Sequence, residues 1–256
     1  MIKLSAFVIT YNEEAKIADC ISSLKQVADE IVVVDSYSTD KTVEICEQHG
    51  VKVHLREFKG YYDQKKWATE ATSHQWVLNL DADEVLSPQL VESINEFKKN
   101  PNADACSMNR FNFYCGRWIK HSSWYPDTKI RLWNKEKAGW TGINIHEKVE
   151  LNDGAKLRHL KGDILHTTFE NINQHIAQTV KFTDISAKES FEKGRKISTI
   201  KLLFAPLFKF LYCYIIRLGF LDGRQGFMIS AMNSFSGFIK YVKIQELHKK
   251  HKNKTN

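Results

Sequence analysis

The chain has 256 residues, 43% of them hydrophobic, enough to bury one substantial core with at most a small appendage. Its net charge of +7 is unevenly placed: residues 1–192 carry 24 Lys and Arg against 28 Asp and Glu, a balance of −4, while residues 193–256 carry 13 against 2, a balance of +11. Five cysteines at scattered spacings form no zinc or disulfide framework, and the basic tail, where cations alternate with aliphatic residues, matches no nucleic-acid module, so nucleic acid is not expected as a partner.

Residues 4–10 form a short apolar run, the first expected strand. Asn12 is expected to cap a following helix, with Glu13 and Glu14 in its first turn and Ile17, Cys20, Ile21 and Leu24 at helical spacing. Residues 31–34 predict a second strand ending in Asp35. A polar turn over 36–40 leads into a helix over 42–49, which Gly50 stops, and residues 51–55 predict a third strand. A helix over 62–72 precedes the apolar strand 76–80, which runs out into Asp81-Ala82-Asp83-Glu84. Strands alternating with helices imply a largely parallel sheet whose ligands gather at the carboxyl ends of the strands, where Thr10, Asp35 and Asp81 fall.

In an extended segment Asp81 and Asp83 would point the same way and could share one divalent cation, Mg²⁺ or Mn²⁺. Such an ion leaves coordination positions for substrate phosphates and neutralises a departing diphosphate. The plainer alternative is a pair of turn acids. His166, after Ile164-Leu165, could reach the same ion, or be a buried structural histidine.

Three motifs taken together, Val8-Ile9-Thr10-Tyr11-Asn12-Glu13, Ile31-Val32-Val33-Val34-Asp35-Ser36 and Leu80-Asp81-Ala82-Asp83-Glu84, resemble those of family 2 inverting glycosyltransferases of the GT-A fold. Gln64-Lys65 with Trp67-Ala68, Lys129-Ile130-Arg131-Leu132, His146-Glu147 and Gly219-Phe220-Leu221-Asp222-Gly223-Arg224 further resemble the WaaE/KdtX-like branch, which glucosylates the lipopolysaccharide inner core. The pattern departs from its relatives at Lys66, where Asn is expected. The resemblance implies a GT-A, Rossmann-like α/β fold with a mostly parallel sheet flanked by helices. It also implies a UDP-sugar donor and a lipopolysaccharide core acceptor. Thr10, Tyr11 and Glu13 would line the nucleotide pocket, Lys65 would assist donor binding, and Asp35 would accept a hydrogen bond from the uracil, its alternative being a turn acid. Glu147, downstream of the donor half, would be the general base that an inverting displacement needs; Glu147 as a surface charge, with Asp127 as base, is the alternative. Trp118, Trp124, Tyr125 and Trp133 would stack on acceptor sugars or fill the core. A polyprenyl phosphate or capsule-precursor acceptor, and a catalytically silent nucleotide-sugar-binding subunit, are the rival functions.

On this reading residues 1–192 are the catalytic domain, with a nucleotide-sugar half over about 1–100 and an acceptor half over 101–192. Residues 193–256 are a basic amphipathic helical region. Within it, residues 202–216 hold two uncharged stretches split by Lys209 and contain Pro206, too interrupted for a comfortable span, and basic residues flank them. The segment is expected to lie in the interface of an anionic inner-membrane surface, the alternative being a core helix. Met228, Met232, Phe235, Ile239 and Val242 predict one face of a further helix, and residues 249–256 a frayed end. The chain starts on a core strand with no signal segment, so a cytoplasmic protein, peripheral on the inner face of the membrane, is expected.

Overall fold

The computed structural model describes residues 1–142 and 147–255. Two compact units make up the chain: residues 1–110 with 127–166, and residues 111–126 with 167–256.

The first unit opens with β1 (Leu4–Thr10), α1 (Ile17–Leu24), β2 (Glu30–Asp35), α2 (Thr42–Gln48), β3 (Lys52–Leu55), α3 (Tyr61–Glu70) and β4 (Trp76–Asp81). β1 pairs in parallel with both β2 and β4, and β2 with β3. Four of the seven residues of β1 are apolar and fully buried, as a strand covered on both faces requires. The register sets Thr10 opposite Asp35 and Ile9 opposite Asp81, so three strand ends meet at one edge. Next come β5 (Glu84–Leu86), α4 (Pro88–Lys99) and β6 (Ala105–Tyr114). After β7 (Arg117–Ile119), which belongs to the second unit, follow β8 (Asp127–Asn134), β9 (Ala138–Thr141), β10 (Lys148–Leu151) and β11 (Leu157–Phe169). Strand order is β3-β2-β1-β4-β8-β6-β11-β5; β8 runs antiparallel to β4 and β6, and β11 to β5. The parallel portion is therefore the β3-β2-β1-β4 half, and β9 and β10 form a separate hairpin.

Two local expectations are corrected here. Asn12 caps no helix: α1 starts after Lys16 without a side-chain cap, and Asn12 sits at φ 55° with its Oδ1 accepting from the Thr39 N–H at 2.8 Å. Asn tolerates the left-handed region, and its side chain serves better as a strut between two loops. Asp81 and Asp83 do not alternate along one strand either, because β4 ends at Asp81 and the chain turns at Ala82-Asp83 before β5.

The second unit holds α5 (Ile172–Glu192), α6 (Thr199–Leu211), a π-helical turn (Tyr212–Ile216), a 3-10 turn (Gly219–Asp222) and α7 (Gly223–Thr255). Asn171 and Ser198 cap α5 and α6 through the N–H groups of Gln174 and Lys201. The expected boundary at residue 192 falls at the end of α5, which belongs with the C-terminal helices. Residues 249–255, expected to fray, continue α7. Tyr114, Ile119, Phe169 and Ile229 form this unit's core, with Trp124 packed against it. A Cβ on Gly226 would lie 1.8 Å from the Gly219 carbonyl oxygen, so this approach requires glycine. Buried Asp222 accepts from the N–H groups of Lys120 and His121, which makes the Gly219 to Arg224 motif a clasp on the loop after β7.

Candidate functional site

The first unit's strand ends carry a connected set of charges. Lys65, on α3 and 6% exposed, places Nζ 3.1 Å from Asp81 Oδ1 and 3.1 Å from Glu147 Oε1. Its ammonium also lies 5.3 Å from the centre of the Trp140 ring, whose Nε1 donates to Thr69 at 3.0 Å. Arg131, on β8 and equally buried, reaches Asp81 Oδ2 at 2.9 Å and Glu84 Oε1 at 2.7 Å, and donates to Asn79. Glu84 is fully buried; its other oxygen accepts the Asp81 N–H at 3.0 Å, and Arg110 stands 3.4 Å from Oε1. Arg110 in turn holds Asp127 at 2.8 Å.

Both oxygens of Asp81 thus face cations. Burial pushes its carboxyl up, but Arg131 and Lys65 more than reverse this and hold it far below the usual carboxylate range. The same acids, Asp81 and Glu84, outweigh the burial of Arg131 and raise its guanidinium above its ordinary value. Asp81 and Arg131 therefore stay ionised at any physiological pH.

Asp83 takes a separate partner. The turn at Ala82-Asp83 sends its carboxylate to His166 on β11, with Oδ2 3.1 Å from Nε2, and the β5–β11 register fixes the approach by pairing Glu84 with His166. Among the described residues no group of three or more His, Cys, Asp or Glu is placed to hold a metal. The donor set is one carboxylate and one imidazole, which suits a hard or borderline divalent ion that keeps most of its positions for phosphate oxygens and water. Nearby Glu13 is pushed up, first by its own burial and then by the charge of Asp83.

The loops after β1 and β2 are tied together by short polar links. Ser38 Oγ accepts from the Asn12 N–H, and Thr42 Oγ1 from the Glu13 N–H, each at 2.8 Å. Thr10 is buried with its hydroxyl unpartnered among the described atoms, whereas Tyr11 and Tyr37 stand exposed. Asp35 is fully buried and accepts from both the N–H and the hydroxyl of Ser38, the turn-holding arrangement that was its alternative role. Gln64 joins the turn to α3 by donating to Ser36 Oγ at 3.2 Å and accepting from Arg56 at 2.6 Å.

Glu147 is 13% exposed in its side chain; Oε1 meets Lys65, and Oε2 is buried with no partner among the described atoms. His146, its neighbour in the expected His-Glu pair, lies outside the described residues. Expected site residues Lys65, Asp81 and Glu147 thus come together through direct contacts, as do Asp83 and His166, while Thr10, Tyr11, Glu13 and Asp35 lie at the neighbouring strand ends. Sequence reasoning gave no role to Arg131, Arg110, Glu84 or Trp140. The available signal for Arg131 was a cation inside an otherwise apolar strand, Ile130-Arg131-Leu132-Trp133, where burial demands acidic partners.

The aromatic residues sort by burial. Trp133 lies in the first unit's core, perpendicular to Phe7 and Trp140, so it offers no face to a sugar. In the second unit half-buried Trp124 packs against the core on Tyr114 and Phe169, whereas Trp118 is 37% exposed and stacks on Phe111, with Tyr125 against the same ring.

Residues 5–156 match the model for glycosyl transferase family 2. An uncharacterised glycosyltransferase of Rickettsia typhi is 35% identical over 264 residues, covering 99% of this chain and 90% of that protein. The lipopolysaccharide core biosynthesis glycosyltransferase LpsC of Rhizobium meliloti is 28% identical, covering 96% and 93%. The crystal structure of S. aureus TarS residues 1–349 superposes over 98% of this chain and 92% of that one with a TM-score of 0.50 at 15% identity, a likeness of fold. A parallel β3-β2-β1-β4 half with its acids at the strand ends, antiparallel strands after it and a family match across both make the chain a family 2 glycosyltransferase of the GT-A fold.

Proposed function

We propose that the protein moves a hexose, glucose from UDP-glucose, onto a heptose of the lipopolysaccharide inner core, with inversion to a β linkage. The acceptor rests on one observation, full-length similarity to LpsC, whose name assigns it to lipopolysaccharide core biosynthesis. The donor side rests on the charged strand ends. UDP would lie over the loops after β1 and β2, with Thr10, Tyr11, Glu13 and Asp35 about its nucleoside.

Asp83 and His166 are the residues that would hold a Mg²⁺ or Mn²⁺ ion; Asp81, already spanned by Lys65 and Arg131, would join only by releasing one of them. When bound, the ion would neutralise charge on the departing diphosphate. Glu147 would take the proton of the attacking acceptor hydroxyl through Oε2, the oxygen Lys65 leaves open. As that hydroxyl oxygen bonds to the anomeric carbon, the bond from carbon to the β-phosphate oxygen breaks and its electron pair leaves with UDP. Lys65 would orient the base, its own position fixed by Asp81 and the Trp140 face. We place the protein at the inner face of the membrane, where a lipid-linked core would be presented.

Incubation with a panel of UDP-sugars and truncated core oligosaccharides, followed by weighing the products, tests the proposal. The expected product is a heptose-containing core heavier by one hexose, made from UDP-glucose and from no other donor at comparable rate. Transfer to polyprenyl phosphate alone would overturn the acceptor assignment and leave the family.

A further inference from the structure

The C-terminal helices of the second unit carry an inverted surface. On α6, Ile200, Leu203, Phe204, Leu207, Phe208 and Leu211 recur at helical spacing along one stripe, and that stripe is the open one: Ile200 is 72% exposed, Phe208 70%, Leu203 and Phe204 62% each. A soluble protein turns such a stripe inward, and contiguous apolar surface on this scale marks a contact. Leu218, Phe220 and Leu221 in the turn that follows are exposed as well. Thr199–Ile216 is long and apolar enough to cross a membrane by length and composition, with mean hydropathy 1.6 and 6% of it buried. The other side of α6 is nevertheless docked on α7. Ser234 donates to the Pro206 carbonyl at 2.7 Å, and Gln245 to that of Ile197 at 3.1 Å. α7 is itself held to α5 by Lys243, which reaches Thr183 at 2.9 Å and Asp184 at 2.8 Å. A helix fastened along a polar partner lies flat on a bilayer and does not thread it.

Between α6 and α7 runs an open groove of about 490 Å³. Its α7 wall is a stripe of small and polar residues, Asn233, Ser236 and Gly237, then Lys240 and Tyr241, and Lys209 stands on the α6 side. A Cβ on Gly237 would meet nothing within 4 Å, so the glycine leaves the space free. Neither lysine has an ion-pair partner among the described residues; Lys209 lies over Tyr212 at 5.7 Å, and Lys201, one helical face away, over Tyr241 at 5.5 Å. Cations, a hydroxyl and an amide at the rim of an apolar stripe match a phosphate at the level of a lipid headgroup, with the stripe below it among the acyl chains.

We propose that α6 is an interfacial membrane anchor and that the α6–α7 groove seats the phosphate of an anionic bilayer phospholipid. This deepens the reading of the protein as an enzyme of lipid-linked acceptors, and rests on it for its purpose, though the surface is argued from α6 and α7 alone.

The test is flotation of the full-length protein with phosphatidylcholine vesicles lacking or containing phosphatidylglycerol, beside transfer to a soluble core oligosaccharide. Wild type should float with the anionic vesicles and not with the neutral ones. Lys209→Gln with Lys240→Gln should weaken that binding about 30-fold, the combined worth of two basic residues near such a surface. Gly237→Leu, which fills the groove while favouring the helix, should weaken it with no loss of thermal stability. Phe204→Ser with Phe208→Ser should abolish it. All variants should keep the circular dichroism and the soluble-acceptor rate of wild type. Unchanged binding by the lysine pair and by Gly237→Leu would overturn the headgroup site. Resistance of the bound protein to alkaline carbonate would overturn the interfacial placement in favour of a span. A dimer in solution that the Phe pair dissociates, without vesicle binding by wild type, would assign the stripe to a second copy. Vesicle binding as expected with no transfer to any core acceptor would sink the acceptor reading and leave this site standing.

Discussion

Glu147→Gln separates the chemistry of the site from its architecture. The amide oxygen can keep the 3.1 Å bond that Oε1 accepts from Lys65, so the cluster of Lys65, Asp81 and Arg131 should hold its shape. The NH₂ group takes the place of Oε2, which is buried and unpartnered, and the lone pair proposed to receive the acceptor proton is lost. General-base assistance is worth about 10²–10⁴ in rate, or roughly 2.7–5.5 kcal/mol of barrier. The kcat of transfer should fall by that factor while the Kd for UDP and the thermal midpoint stay near wild type. Glu147→Ala differs in a second way: it leaves buried Lys65 with Asp81 alone, a loss of about 1–3 kcal/mol in stability. For a chain of this size that lowers Tm by about 2–4 °C per kcal/mol, so the Ala variant should melt several degrees lower and the Gln variant should not. Steady-state transfer, UDP titration and thermal melting on the three proteins provide the comparison. A Gln variant that keeps kcat within about threefold of wild type, a range too small for a lost base, would refute the assignment. The role would then pass to Asp127, whose carboxyl Arg110 and Lys129 keep ionised against its burial.

Other perturbations probe the surrounding design. Arg131→Met should cost about 3–5 kcal/mol in chemical denaturation, since fully buried Glu84 keeps only Arg110 at 3.4 Å; a cost below about 1 kcal/mol would show that the pair is not what compensates that acid. Asp83→Ala should remove Mn²⁺ binding measured calorimetrically with UDP present, and Asp81→Asn should weaken it less; equal losses would make Asp81 a direct ligand. In the second unit, burial lowers the His175 imidazole to about 4, against about 6.5 when unfolded, while Phe169 stacks on its ring at 4.5 Å. The unfolded chain then binds the extra proton between those values, so stability present above about pH 6.5 is lost on acidification toward pH 4, roughly 3 kcal/mol in all. Urea midpoints from pH 7 to 4.5 should fall more steeply for wild type than for His175→Phe, and equal slopes would remove His175 as the cause.

Much of the parallel half was legible because its signals are local. Residues 4–10 give β1 without error, and Gly50, at φ 66°, stops α2 where the sequence places its end. Asn12 misled because Asn favours caps and left-handed bends alike, and only the distant Thr39 decides between them. The motif Gly219 to Arg224 was readable as a pattern but not as a job. Gly219 answers a close approach of the Cys213 carbonyl and of the Ser122 and Ser230 hydroxyls, and Asp222 answers N–H groups about a hundred residues upstream. The antiparallel half left weaker marks, since a strand such as β8 mixes buried Arg131 with exposed Lys129 and obeys no clean alternation.

Four consecutive residues, Asp81-Ala82-Asp83-Glu84, show why acid clusters resist reading one residue at a time. Two buried cations, Lys65 on α3 and Arg131 on β8, draw Asp81 and Glu84 toward the interior, and the backbone between them must turn. That turn carries Asp83 away from both cations and toward His166. Buried carboxylates without counter-charge are not tolerated, so the interior lysine and arginine consume two of the three acids for structure. Asp83 then differs from its neighbours because no Lys or Arg is paired with it among the described residues, and its charge is felt instead by half-buried Glu13. The separation of roles within the motif therefore originates in β8 and α3, which supply the cations, and the proposed metal position is what the remaining acid is left to do.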